Sequence, residues 1–188
     1  MEIKKIINLC KKSGQLRLFE GEGKQWISDG YALFPLFDLP YFDEANICKA
    51  YDISAKKAEK MHISCDLNLP TSYDYSDDAE GEKQCERGAP IFGGLIPITT
   101  AHGLEFIQSK YLSPFSGSDD KMLYIFERTT STGGSYFAIK DGFMLVGIVL
   151  PYDCINESFV NLVKTIYEQC EMALYNKKNN AEREDASE

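Results

Sequence analysis

Apolar residues at Ile3, Ile6, Ile7 and Cys10 recur at helical spacing and leave Lys4, Lys5, Asn8, Lys11 and Lys12 on the opposite side. Residues 2–12 therefore predict an amphipathic helix with a basic face, ended by Ser13-Gly14 because glycine is the usual residue just past a helix end. Three apolar runs follow, near 15–20, 24–29 and 31–36, with Gly21-Glu22-Gly23 turning the chain between the first two. Asp43 and Ser54 are good N-caps and predict helices to about Tyr51 and Lys60. Ile63, Cys65, Leu67 and Leu69 alternate with polar neighbours, so 61–69 reads as a strand. Residues 70–90 carry Asp74, Asp77, Asp78, Glu80, Glu82 and Glu86 with few aliphatics, the pattern of a solvated acidic linker or long loop. Beyond it the spacing predicts a strand over 91–98, a short helix over 104–112 stopped by Pro114, and strands near 122–128, 135–140 and 143–150. Phe159, Leu162, Val163, Ile166, Cys170, Ala173 and Leu174 mark an amphipathic helix over 156–175, and the polar residues 176–188 are expected to form a disordered tail.

Two stretches of this pattern echo each other. In Gln25-Trp-Ile-Ser-Asp-Gly-Tyr-Ala-Leu-Phe-Pro-Leu36 and Phe137-Ala-Ile-Lys-Asp-Gly-Phe-Met-Leu-Val-Gly-Ile148, Ile27, Asp29, Gly30 and Leu33 meet the identical Ile139, Asp141, Gly142 and Leu145. The flanks agree as well, Leu16-Arg-Leu-Phe-Glu20 with Leu123-Tyr-Ile-Phe-Glu127 and Leu39-Pro-Tyr41 with Leu150-Pro-Tyr152. Asp-Gly between apolar runs is a strong hairpin signal, since a type I′ turn needs positive φ at both central residues and Asp tolerates that conformation. Asp29, Gly30, Asp141 and Gly142 are thus expected as structural turns. The expected fold is α+β, two related antiparallel β-meander units with packed helices over 1–69 and 91–175, joined by the acidic linker at 70–90.

Charge narrows the function classes. At 188 residues and net charge −9, the chain is long enough for a proper core but disfavours a surface that grips nucleic acid throughout. No run approaches a membrane span and Met1-Glu-Ile-Lys-Lys5 lacks a signal-peptide core, so no membrane partner and a cytoplasmic location are expected. The six cysteines, Cys10, Cys48, Cys65, Cys85, Cys154 and Cys170, form no Cys-x-x-Cys pair and read as reduced, mostly buried thiols.

Catalytic ingredients are sparse. His62 and His102 are the two histidines, neither at metal-ligand spacing, and strand alternation puts His62 and Cys65 on opposite faces, which opposes a base and nucleophile pair. Asp29 and Asp141 pass for paired carboxylates only by the repeat and are more simply turn residues. No metal, no cofactor and no catalytic residues are expected; a small enzyme using Cys65 or a histidine is the alternative class.

A helix and three antiparallel strands, twice over, with a strand before the second helix, resembles one domain of the DNA sliding clamps, and Ser28-Asp-Gly-Tyr-Ala-Leu33 is similar to the Asp-Gly-aromatic hairpin of bacterial clamps, with Ala32 where those often carry Arg. The resemblance implies a duplicated β-α-β-β-β unit and phosphate contact through the first helix, by Lys4, Lys5, Lys11 and Lys12. Residues 47–60 also resemble a helix-turn-helix, with Asp52 where the turn usually has Gly. In overall character the chain is similar to proteins carried by prophages and other mobile elements of Firmicutes, which implies a protein or DNA partner from the element's own machinery. The expected function is a non-enzymatic binding or assembly protein, with an unknown protein partner or self-association, and weak DNA binding at most.

Overall fold

The computed structural model describes residues 1–115 and 123–185, with side chains as far as residue 179. By packing, the chain divides into Met1–Tyr152 and Asp153–Glu188. The first unit opens with α1 (Ile3–Ser13), which buries Ile6, Ile7, Leu9 and Cys10 and ends at Gly14, whose φ of 76° lets its N–H reach Cys10 O. β1 (Gln15–Gly21), β2 (Lys24–Ser28) and β3 (Ala32–Leu36) form an antiparallel meander. α2 (Glu44–Ala50) starts in a reciprocal capping box between Asp43 and Asn46, and α3 (Ala55–Ala58) is one turn capped by Ser54. β4 (His62–Asn68) then returns parallel to β1, with an irregularity in register where Asp66 takes a φ of 56°.

Two short strands, β5 (Lys83–Gln84) and β6 (Glu86–Arg87), and a 3-10 turn at Phe92–Gly94 lead to β7 (Leu95–Thr100) and β8 (Gly103–Gln108). β9 (Leu123–Thr129), β10 (Ser135–Asp141) and β11 (Met144–Val149) form the second meander. The main sheet runs β4-β1-β2-β3-β11-β10-β9-β5, so the two meanders meet edge to edge, β3 against β11, in one eight-stranded mixed sheet. A three-stranded sheet, β6-β7-β8, stands beside it. The architecture is α+β, as the alternation of strand and helix patterns predicted.

Central strands are buried on both faces, which is why they read as continuous apolar runs. On one face Leu16, Leu18, Ile27, Phe34, Phe137 and Ile139 pack with α1, α2, the small sheet and the 3-10 turns at 109–115. On the other, Phe19, Trp26, Leu33, Tyr136 and Leu145 are covered by Leu67, Leu69, Tyr73 and Tyr75.

Two expectations need correcting and one refining. The stretch expected as a helix over 104–112 is β8 followed by a 3-10 turn, so the second unit is not β-α-β-β-β. Leu104 and Phe106 alternate as a strand does, and β7, carrying buried Ile96 and Ile98, takes β8 as its hairpin partner through a turn at Gly103, φ 125°. The acidic stretch 70–90, expected as a linker or loop, is largely exposed, and Asp74, Ser76, Asp77 and Glu82 tie it as a strap across the second meander. The polar stretch 176–188, expected as a disordered tail, continues α4 (Glu157–Asp185) through Asp185; residues 186–188 lie outside the described residues.

Candidate functional site

The strap is held by a buried charge cluster. Arg128 on β9 and Lys140 on β10 point to the strap face of the sheet, their side chains only 2% and 6% exposed, and both meet the carboxylate of Glu82. Arg128 Nε donates to Glu82 Oε2 at 2.8 Å, while Nη1 donates to the carbonyls of Asp74 and Ser76, each at 3.0 Å. Lys140 donates to Glu82 Oε1 and lies 4.3 Å over the Phe126 ring. Asp77 accepts the Leu145 N–H, and the Tyr136 hydroxyl accepts the Asp74 N–H. Two cations on one carboxylate bury a net positive charge, which the two backbone carbonyls offset in part. Ser76 hydrogen bonds hold the Asp74 carboxyl below its ordinary range. The aromatic rings of Tyr73, Tyr75, Trp26 and Tyr136 meet edge to face beneath the strap, at 5.0–6.3 Å.

On the opposite face of the sheet, the turn after β2 gathers a second group. Asp29, 1% exposed, accepts the N–H groups of Tyr31 and Ala32 through Oδ1 and the Tyr111 hydroxyl through Oδ2. Burial, and then the Asp29 charge, push both the Tyr111 phenol and the Cys10 thiol far up. A thiol in that state is no nucleophile at neutral pH. The expected type I′ turn is absent: Gly30 (φ 94°) has positive φ and Asp29 does not, because the Asp29 carboxylate caps the turn from its side chain instead. At the second hairpin Gly142 (φ 62°) alone is positive, and Asp141 ends β10 in register with Met144.

The remaining sequence candidates are dispersed. His62 on β4 shares a hydrogen bond with Ser64, and His102 sits in the β7–β8 turn, its N–H on Thr100. Desolvation, with Asp66, Glu44 and Asp43 nearby, pushes the Cys65 thiol up to about 11. Among the described residues no group of three or more His, Cys, Asp or Glu is placed to hold a metal, and no helix is long and apolar enough to cross a membrane. A groove of about 650 Å³ between Glu20–Gln25 and Leu36–Tyr41 is lined by Glu20, Asp38 and Lys24, whose ammonium lies 4.8 Å over the Phe37 ring.

The basic face of α1 is partly occupied. Lys5 pairs with Glu2 at 2.8 Å and Lys11 donates to Tyr51 O at 2.8 Å, while Lys4 and Lys12 are exposed. The segment resembling a helix-turn-helix presents in α3 a single four-residue turn where a recognition helix would stand.

In the second unit, α4 is capped by Asn156, whose side chain accepts the Phe159 N–H, and several large apolar residues along it are exposed while Phe159 and Ile166 are half-buried. Leu162 is 52% exposed, Tyr167 61% and Leu174 55%. No family model matches the chain, no curated protein matches it in sequence, and no solved structure matches its fold.

Sequence reasoning missed Glu82, Arg128, Lys140, Tyr111 and Tyr136. Two signals pointed to the strap and its anchors: Arg128 and Lys140 interrupt otherwise apolar strands, and Tyr73 and Tyr75 give an acidic stretch more apolar weight than a linker carries.

Proposed function

We propose that this protein is a non-enzymatic assembly protein that binds a protein partner through its C-terminal helix. The observation that carries the reading is the exposure of Val160, Leu162, Val163, Tyr167 and Leu174 along α4: a helix with such apolar residues in water is not stable by propensity alone, and its stability comes from packing them. The chemistry agrees, since raised thiols and separated histidines assemble no nucleophile with a base. Free thiols fit a cytoplasmic setting, and the likeness to mobile-element proteins would place the partner in such an element's machinery. The test is sedimentation of the full chain, alone and in cell extract, beside Leu162→Glu. An assembly heavier than one 21.2 kDa chain that the substitution dissolves is expected; free sedimentation as a single chain in both settings would refute the reading.

A clamp-like, DNA-associated role is the second reading. It rests on an internal duplication, which the strand register favours. Leu33 pairs with Ile148, and the offset that carries Leu33 to Leu145 carries Leu36 to Ile148, so the β3–β11 seam maps onto itself when the copies are exchanged. Lys4 and Lys12 would be its phosphate contacts, with Lys5 and Lys11 released from their present partners. Two to four contacts per chain give binding weaker than the roughly 10⁻⁴ to 10⁻⁶ M of ordinary non-specific sites. Duplex retention at low salt that Lys4→Glu with Lys12→Glu abolishes would support it.

A further inference from the structure

We infer that the occupant of the α4 face is the same helix of a second copy of this chain, running antiparallel. The inference rests on the assembly reading above and specifies its partner.

Spacing says that the occupant is a helix. Val163, Ile166, Cys170 and Ala173 follow the three-four alternation of a coiled-coil seam, with Val163 and Cys170 at a positions and Ile166 and Ala173 at d. Val160, Tyr167 and Leu174, seven residues apart at e, widen the seam on one side, and all three are exposed. The polar side of α4 carries Glu157, Glu168 and Glu171 beside Lys164 and Lys178, which lacks the cationic surplus of a helix made to lie on an anionic lipid surface.

Charge and register then choose the second copy and its direction. In a parallel pair each a residue faces its own twin, so Lys177, the next a position, would meet the partner's Lys177 inside the seam. Reversing one helix about Glu168 removes that clash and seats Val163 on Ala173 and Ile166 on Cys170, twice over by symmetry. Tyr167 then flanks Tyr167, and Val160 flanks Leu174. The same reversal seats Lys177 on the partner's Phe159 and brings the Lys177 and Lys178 ammonium groups to the end of the partner helix that carries Glu157, so the ends attract. One helix thus supplies both halves of its own complement, as an isologous interface requires.

Cross-linking and mass test this on the full chain. The purified protein is expected to sediment as a dimer, and Ile166→Glu to shift it to monomer while the circular dichroism of the sheet is unchanged. Under mild oxidation Ile166→Cys should give a covalent dimer in which peptide mass spectrometry finds the introduced thiol bonded to Cys170 of the other copy, a link lost in Ile166→Cys with Cys170→Ser. A wild-type dimer linked Cys170 to Cys170 would overturn the antiparallel arrangement. A purified chain that stays monomeric at high concentration would overturn self-pairing; if that monomer still enters a heavier, Leu162-dependent assembly in extract, the assembly reading survives and only the identity of the occupant falls. A dimer that Ile166→Glu leaves intact overturns the inference as well.

Discussion

Tyr111 donates its phenolic hydrogen to Asp29 Oδ2 at 3.1 Å, joining residues 82 positions apart in a buried contact. The bond ties the turn after β2 to the 3-10 turn after β8, so the main sheet and the layer packed on its helical face are linked through one carboxylate. A buried acceptor that loses its donors costs the full desolvation of the group. Asp29→Ala, which strands three donors, should destabilise the protein by about 3 kcal/mol, and Tyr111→Phe by about 1.5 kcal/mol. Urea denaturation of a double-mutant cycle reads the coupling; Tyr111→Phe should cost nearly nothing once Asp29 is Ala.

Glu82 is the corresponding point on the strap. Removing it leaves Arg128 and Lys140 buried with unpaired charge, so Glu82→Ala should cost about 3–5 kcal/mol. Strap release should also be visible optically, because the Tyr75 ring sits 5.1 Å from Trp26. Red-shifted tryptophan emission with a lower denaturation midpoint is the expected pair of readings; native emission would mean that the strap is held without Glu82.

The two Asp-Gly turns should answer the same substitution differently. A Cβ on Gly30 would stand 2.8 Å from Gln15 Oε1 at a φ of 94°, whereas a Cβ on Gly142 meets nothing within 4 Å. Gly142→Ala then costs only the left-handed conformation, about 1–2 kcal/mol. Gly30→Ala adds a clash with a side chain in a packed layer and should lower the melting temperature further. Equal melting temperatures would show that Gln15 swings away freely.

Alkaline pH should weaken the fold through buried thiols and phenols. Burial and neighbouring carboxylates push Cys65 from 9.0 to about 11. A folded-state pKa above the unfolded one adds stability that is whole below pH 9 and lost as pH rises from 9 to 11, since the unfolded thiol ionises first. Unfolding midpoints measured from pH 8 to 11 should fall, and Cys65→Ala should flatten part of that fall while leaving the contribution of Cys10 and Tyr111.

Local chemistry was enough for several elements. The 3.6-residue spacing of Ile3, Ile6, Ile7 and Cys10, with Gly14 after it, carries all the information that α1 needs, and the same holds for the stripe of α4. Asp43 and Ser54 announced their helices because an N-cap acts on backbone N–H groups two or three residues away. The α+β class and the strands of the two meanders followed from patterns of that range.

Tertiary structure decided what depends on distant partners. Residues 104–108 carry both a helical and an alternating pattern, and the waiting edge of β7 selected the strand. Glu82 reads as one more solvated acid of the strap until Arg128 and Lys140, some fifty residues later, supply the cations that hold its carboxylate against the sheet, and Asp29 reads as a turn residue until Tyr111 reaches it. Periodicity reports which face of an element is apolar; what lies against that face is settled by register and charge between segments far apart in the chain, which is why β3 found β11 in the fold and not in the sequence.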